Sequence, residues 1–289
     1  MDFKRKIETG KFVVTTEVAP PRGTDTTLLI EEADLLSGCV DALNVSDNQR
    51  SIMRMSPLGV AHVLQEQGHE VILHTTCRDR NRLALQSDLL GAWNLGVRNI
   101  LAMTGDHPLL GDTMGTKPVY DLDSTQLLQA IQNLNRGHDI MNRRLDGGTG
   151  FMAGAVVRPD PNDKMQLLRL KRKVSCGARF IQTQPVYNTE EFKEFIEKVS
   201  HLNTHIIAGI LPIFSLKTVK FINDKLPGII IPQEVVERIK NSTDPAEEGI
   251  ELAAETIKKL QDVAGGVHIM PIITHQHTEA ILKRAGMLH

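Results

Sequence analysis

Eight short runs rich in β-branched and apolar residues recur along the chain, and longer helical patterns separate most of them. The runs are KFVVTTE (11–17), VDALNVS (40–46), EVILHTT (70–76), VRNILAMTG (97–105), FMAGAVV (151–157), RFIQTQ (179–184), HIIAGIL (205–211) and GVHIMPI (266–272). Most are continuously apolar rather than alternating, which suits parallel strands buried on both faces. Amphipathic stretches at 25–38, 80–96, 123–135, 162–177, 188–200, 215–225 and 245–263 read as helices. The one at 123 opens on a capping Asp or Ser, and Gly follows several of the others as a C-terminal cap. Eight strand–helix units predict an α/β fold, a (β/α)8 (TIM) barrel, as a single domain over residues 1–289. A doubly wound open sheet is the rival. Against it, no G-x-G-x-x-G follows the first strand and no G-x-x-x-x-G-K-[ST] occurs.

Composition narrows the partners. The formal net charge is −2, so no global field draws the chain to nucleic acid or to an anionic membrane. No apolar run approaches the ~18 residues of a membrane span, and MDFKRKIETGKF lacks the apolar core of a signal peptide. The three cysteines, Cys39, Cys77 and Cys176, match no zinc or iron–sulfur spacing, which points to a reducing cytoplasm. Any electron carrier held by this chain alone is then expected to be organic.

In a barrel of this kind chemistry collects at the C-terminal strand ends. Strand one ends on Glu17, followed closely by Pro20 and Pro21. Strand two carries Asn44, Ser46, Asp47 and Asn48. Strand three ends at His74, Thr75 and Thr76, strand four at TGD with Asp106, and strand six at Gln182 and Gln184. Singly, each has a plain reading: a solvated carboxylate, a helix cap, a hydrogen-bonded core histidine. KRK (171–173) reads as a solvated helix face, and Met152 and Met165 as core fillers. Together they describe a polar, acidic and amide-lined mouth, and they name no substrate.

The strand-end sequences do more in combination. TTEVAPPRG, LHTTCRDRN, QSDLLGAWNLGVRNILAMTGDHP, LNRG, LKRKVSCGARFIQTQPVYN and AGILPI occur in order between about residues 10 and 285. This series resembles the methylenetetrahydrofolate reductase family, flavin barrels of one-carbon metabolism. CRDRN, SDLLGA and TQPVYN are most similar to the branch found in methyltransferase–reductase fusions and anaerobic acetogens.

The resemblance implies FAD, rather than FMN, at the mouth, and reduction of 5,10-methylenetetrahydrofolate to 5-methyltetrahydrofolate. It makes Glu17 the acid that protonates N10 as the folate ring opens, with hydride from flavin N5. It gives Asp106 a catalytic role at pterin and flavin, and Gln184 a contact to folate or nicotinamide. Ser46, Asp47, His74, Thr104, Gly105, Asp106, Tyr120, Arg172 and Lys173 match flavin-binding positions, with Thr104 standing where the proteobacterial branch has Arg. THQHTE, with His275 and His277, replaces a folate-contacting Arg of that branch, and Leu216 replaces a Phe that meets nicotinamide. The reductant implied is NAD(P)H or a protein donor, such as an iron–sulfur and zinc small subunit. The alternative function is a flavin-binding electron-transfer subunit that works only with such a partner. A third is a folate-binding barrel without redox chemistry. An oligomer is expected, no metal site is expected in this chain, and TGDHPLLGDTMGTKP (104–118) is expected to form a mouth loop.

Overall fold

The computed structural model describes residues 2–225, 229–271 and 275–288. Its strands are β1 Val13–Val18, β2 Ala42–Val45, β3 Val71–Thr76, β4 Asn99–Met103, β5 Met152–Val157, β6 Phe180–Pro185, β7 His205–Ile210 and β8 Gly266–Ile269. Each pairs in parallel with its neighbour in sequence, and β1 pairs with β8 from Val13↔Gly266 to Thr16↔Ile269. The sheet is therefore a closed ring, the expected (β/α)8 barrel, and the open-sheet rival is excluded. Ile272, the last residue of the eighth expected strand, lies outside the described residues, as does Thr274 at the head of THQHTE.

The helices are α1 Phe3–Glu8, α2 Thr27–Leu35, α3 Pro57–Glu66, α4 Arg82–Asn94, α5 Ser124–Asn135, α6 Lys164–Ser175, α7 Thr189–Val199, α8 Leu216–Lys225, α9 Gln233–Asn241, α10 Pro245–Leu260 and α11 Thr278–Arg284. Seven were expected; α1, α3, α9 and α11 add to them. Local chemistry sets their ends. Asp123 accepts from the Gln126 backbone while the Gln126 side chain accepts from the Asp123 backbone, a full capping box on α5. Gly96, at φ +98°, turns the chain out of α4 in a conformation that L side chains avoid. Among the described residues no helix is long and apolar enough to cross a membrane.

Three apolar clusters form among the described residues, the third joining Leu211 and Ile213 after β7 to Val219 and Ile222 on α8 and Val235 and Ile239 on α9; the other two build the barrel. The larger packs the outward faces of the strands against the helices, with Leu64, Leu89, Ile131, Phe195 and Ile257 fully buried. The smaller fills the lower barrel: Val13, Ala42, Ile72, Leu101, Met152, Phe180 and Ile207 point inward, and α1 seals them with Phe3 and Ile7. Phe3 meets Phe180 edge-on at 5.3 Å between ring centroids. The floor is thus closed and dry, and access to the interior is from the mouth.

Candidate active site at the barrel mouth

Above the apolar floor the interior becomes polar. Thr15, Asn44, His74, Gln182 and His268 are all buried there. Asn44 on β2 donates to Gln182 Oε1 on β6 at 2.8 Å, a contact possible only across the barrel interior. The Asn44 amide also meets His74 Nε2 at 2.8 Å. Gln182 Nε2 lies 3.3 Å from Thr15 Oγ1, and Thr15 Oγ1 lies 2.9 Å from His268 Nδ1. Burial pulls both histidines down to a pKa of about 3, so they are neutral imidazoles at physiological pH. The layer is a hydrogen-bonded platform without net charge.

Glu17 stands two residues above Thr15 on the same inward face of β1. It is half-buried and lines a cavity of about 270 Å³, together with Gln49, Arg50, His74, Met103, Val156, Gln182, Leu211, Phe221, His268 and Met270. Among the described residues no cation and no hydrogen-bond donor is paired with its carboxyl. Burial in this cavity desolvates the carboxyl and raises its pKa to about 7. Behind β1, His275 Nδ1 approaches Thr16 Oγ1 at 3.5 Å and its Nε2 lies 3.8 Å from Glu32 Oε1, so it braces the strand from outside the barrel. The loop beyond Glu17 is fixed as well: Pro20 O accepts from Arg54 Nη1 at 2.9 Å and Pro21 O from the Met55 backbone at 2.8 Å.

The other expected residues are spread around this cavity. His74 lines it. Ser46 and Asp47 are buried at the top of β2, where Asp47 accepts from Thr76 N and Oγ1 and pairs with Arg80. Its carboxylate already ties β2 to β3. Thr104 is exposed and accepts from the Ser124 backbone at 3.3 Å. Gly105, at φ +91°, packs so closely that an added Cβ would sit 3.0 Å from Arg78 Cβ. Asp106 is exposed in the following loop, where Tyr120 Oη donates to the Gly105 and Asp106 carbonyls at 3.2 and 3.0 Å. Lys173 is half-buried and donates to Val156 O at 2.7 Å, whereas Arg172 is exposed. Leu216 is half exposed at the start of α8, and the His277 ring lies 4.5 Å from that of Phe214 between centroids, tilted by 47°.

Gln184 would share the inward face of Gln182 in a regular strand. The β6–β7 register shifts between Gln182 and Pro185, with Thr183 Oγ1 accepting from Gly209 N at 3.0 Å. This irregularity breaks the two-residue parity. Gln184 is exposed in an adjoining cleft with Arg158, Tyr187 and Ile229, and Ile229 also lines the Glu17 cavity.

Sequence reasoning named Asn44 and Gln182 without assigning them a role, and did not single out Thr15, His268, Arg50 or Phe221. The signal for Thr15 and His268 was parity: each lies on the inward face of its strand. Arg50 and Phe221 carry no such signal, because both sit beyond the strands.

The sequence model of the family described as methylenetetrahydrofolate reductase matches residues 2–286. A Caenorhabditis elegans protein described as a probable methylenetetrahydrofolate reductase (NADPH) is 29% identical over 240 residues, 78% of this chain and 34% of that protein. Methylenetetrahydrofolate reductase 2 of Schizosaccharomyces pombe is 30% identical over 244 residues, covering 77% and 37% of the two chains. The 5,10-methylenetetrahydrofolate reductase of Escherichia coli K12 is 28% identical over 200 residues, 67% of this chain and 62% of that one. The chain thus spans about a third of the length of the eukaryotic relatives and under two thirds of the bacterial one. Among solved structures, an uncharacterized Clostridium thermocellum protein that binds two copies of 5-methyl-5,6,7,8-tetrahydrofolic acid shares the fold, at TM-score 0.65 and 18% identity over 98% of this chain and 96% of that one. With the family model matching nearly end to end, the chain belongs to the methylenetetrahydrofolate reductase family.

Proposed function

We propose that this chain reduces 5,10-methylenetetrahydrofolate to 5-methyltetrahydrofolate, with Glu17 as the proton donor. The observation that carries the reading is the state of that carboxyl: at the mouth, unpaired among the described residues, and with a pKa raised to about 7 by burial. A general acid works best when its pKa lies near the operating pH. Opening the folate's five-membered ring needs a proton at N10, and Glu17 holds one there at neutral pH. The neutral platform of Asn44, His74, Gln182 and His268 supplies donors and acceptors for a pterin edge without competing for that proton.

The residues present fit a flavin. Met103, Val156, Leu211 and Met270 give its ring system an apolar wall beside Glu17. Lys173, with one carbonyl partner and no carboxylate within ion-pair distance among the described residues, suits a phosphate. His74, Gly105 and Tyr120 would complete the contact along β3 and β4, and the family resemblance favours FAD over FMN. When bound, the flavin supplies the hydride. Asp106 would meet pterin or flavin from the loop after β4, and Gln184 would receive folate or nicotinamide from the adjoining cleft.

The test is an anaerobic absorption experiment on the purified protein. A flavin band that bleaches with a reductant and returns on addition of methylenetetrahydrofolate supports the reading; absence of flavin after reconstitution refutes it. In Glu17→Gln, flavin reduction should survive while reoxidation by folate falls about 10²–10⁴-fold, the scale of a lost general acid. Equal loss in both half-reactions would remove Glu17 from its role.

A second reading is favoured by the loop after β4, where Leu109, Leu110 and Met114 are 87%, 57% and 99% exposed. Apolar side chains so placed suit a protein electron donor, such as an iron–sulfur partner, docking at the mouth. Turnover of the isolated chain with NADH or NADPH would argue against it; turnover only with a viologen dye would argue for it.

A further inference from the structure

The loop after β2 is wound in an uncommon way. Asn48, Arg50 and Ser51 have φ of +45°, +57° and +58°, and none is glycine. The loop is held in that shape: Asn48 Oδ1 accepts from Arg54 N at 2.9 Å, and Ser51 Oγ reaches the Asp106 and His107 carbonyls at 3.2 and 3.4 Å. Backbone conformations of this kind persist where the surroundings over-determine them, and they concentrate at ligand sites.

The result is to aim Arg50 across the mouth. Its guanidinium lies 5.3 Å from the ring centroid of Phe221 on α8, and both side chains line the Glu17 cavity. Loop and helix follow β2 and β7, which are not neighbours in the ring. Arg50 forms no ion pair with a described carboxylate. Among the residues lining the cavity it is the one side chain with a fixed positive charge. A permanent cation that faces a ligand cavity and rests only on an aromatic ring is free to accept a planar anion in bidentate fashion.

We infer that Arg50 and Phe221 form a tail clamp: Arg50 pairs with a carboxylate of the substrate's glutamyl tail, and the Phe221 ring beneath the guanidinium holds it in place across the mouth. The inference rests on the folate reading above and assigns the part of the substrate remote from the chemistry. The same guanidinium chemistry suits a phosphate of the flavin, and the test separates the two sources.

The experiment measures dissociation constants by titration calorimetry for tetrahydrofolate and for a tetrahydropterin lacking the benzoylglutamate tail. FAD affinity is followed by fluorescence. The proteins are the unmodified chain, Arg50→Gln and Arg50→Lys, each checked for folding by its melting curve. In Arg50→Gln, tetrahydrofolate should bind about 10- to 100-fold more weakly, the scale of a lost charge-assisted contact. The tail-less pterin and FAD should bind unchanged, and Arg50→Lys should recover part of the loss. Equal weakening of both pterins, no weakening of either, or weakening of FAD alone would overturn the clamp while leaving the reductase reading intact. Failure of the unmodified chain to bind either pterin would overturn the reading itself, and the clamp with it.

Discussion

The proton that the proposed function asks Glu17 to donate also bears on stability. Its pKa is about 7 in the folded chain against 4.5 for the free group, so between those values the native state keeps a proton that the unfolded state releases. Stability from this group is therefore present at low pH and is lost as pH rises through the window. Unfolding titrations should show it: between pH 5 and 8 the unmodified chain should lose about 2.5 kcal/mol relative to Glu17→Gln. The buried imidazoles act in the opposite sense. His74 and His268 resist protonation down to about 3 and His275 down to about 4, whereas the unfolded chain takes up those protons below the ordinary value of 6.5. Their contribution is full above that value and falls as pH drops. Denaturant midpoints measured along a pH series should therefore peak near neutrality and fall steeply on the acid side; a flat acid limb would mean that the platform histidines are solvated.

Among the elements, α1 is short but closes the barrel floor. Phe3 is fully buried against Phe180, so Phe3→Ala should cost about 3–5 kcal/mol, the range for an emptied aromatic site, read from denaturant midpoints. Gly154 on β5 makes the complementary point: an added Cβ would sit 2.3 Å from the Phe180 ring. Gly154→Ala should destabilise by about 1–3 kcal/mol without altering the affinity of the mouth for the proposed flavin and folate, since it overpacks the floor and not the mouth. The strands were legible because parallel pairing buries both faces and leaves continuous apolar runs. Helix α3 was not, because Pro57 and Gly59 look like a turn; Pro57 in fact occupies the first helical position, where it is tolerated. Helix α9 follows Pro232, with apolar Ile229–Ile231 before it, and that composition hides a helix start. The outward turn of Gln184 was illegible for another reason. It follows from a register shift, which depends on two strands together and leaves no mark on either alone.

For the whole molecule, the ring of eight strands was read from alternation, and Glu17 was found because a carboxylate ended the first of them. What the linear pattern does not contain is which inward residues share a level. Asn44 and Gln182 are 138 positions apart and meet only because the ring closes. That closure joins Val13–Thr16 to Gly266–Ile269, the first strand to the last. No subset of strands buries the floor or completes the polar platform, so thermal unfolding of the unliganded chain should be a single cooperative transition, with calorimetric and van't Hoff enthalpies in agreement. The same seam has a kinetic meaning. Pairing β1 with β8 requires the largest loop in the molecule to close before any of its contacts form, and such non-local pairings slow folding. The partly folded chain then exposes two unpaired strand edges, which can find each other or the edges of another copy. Refolding yield should therefore fall as protein concentration rises.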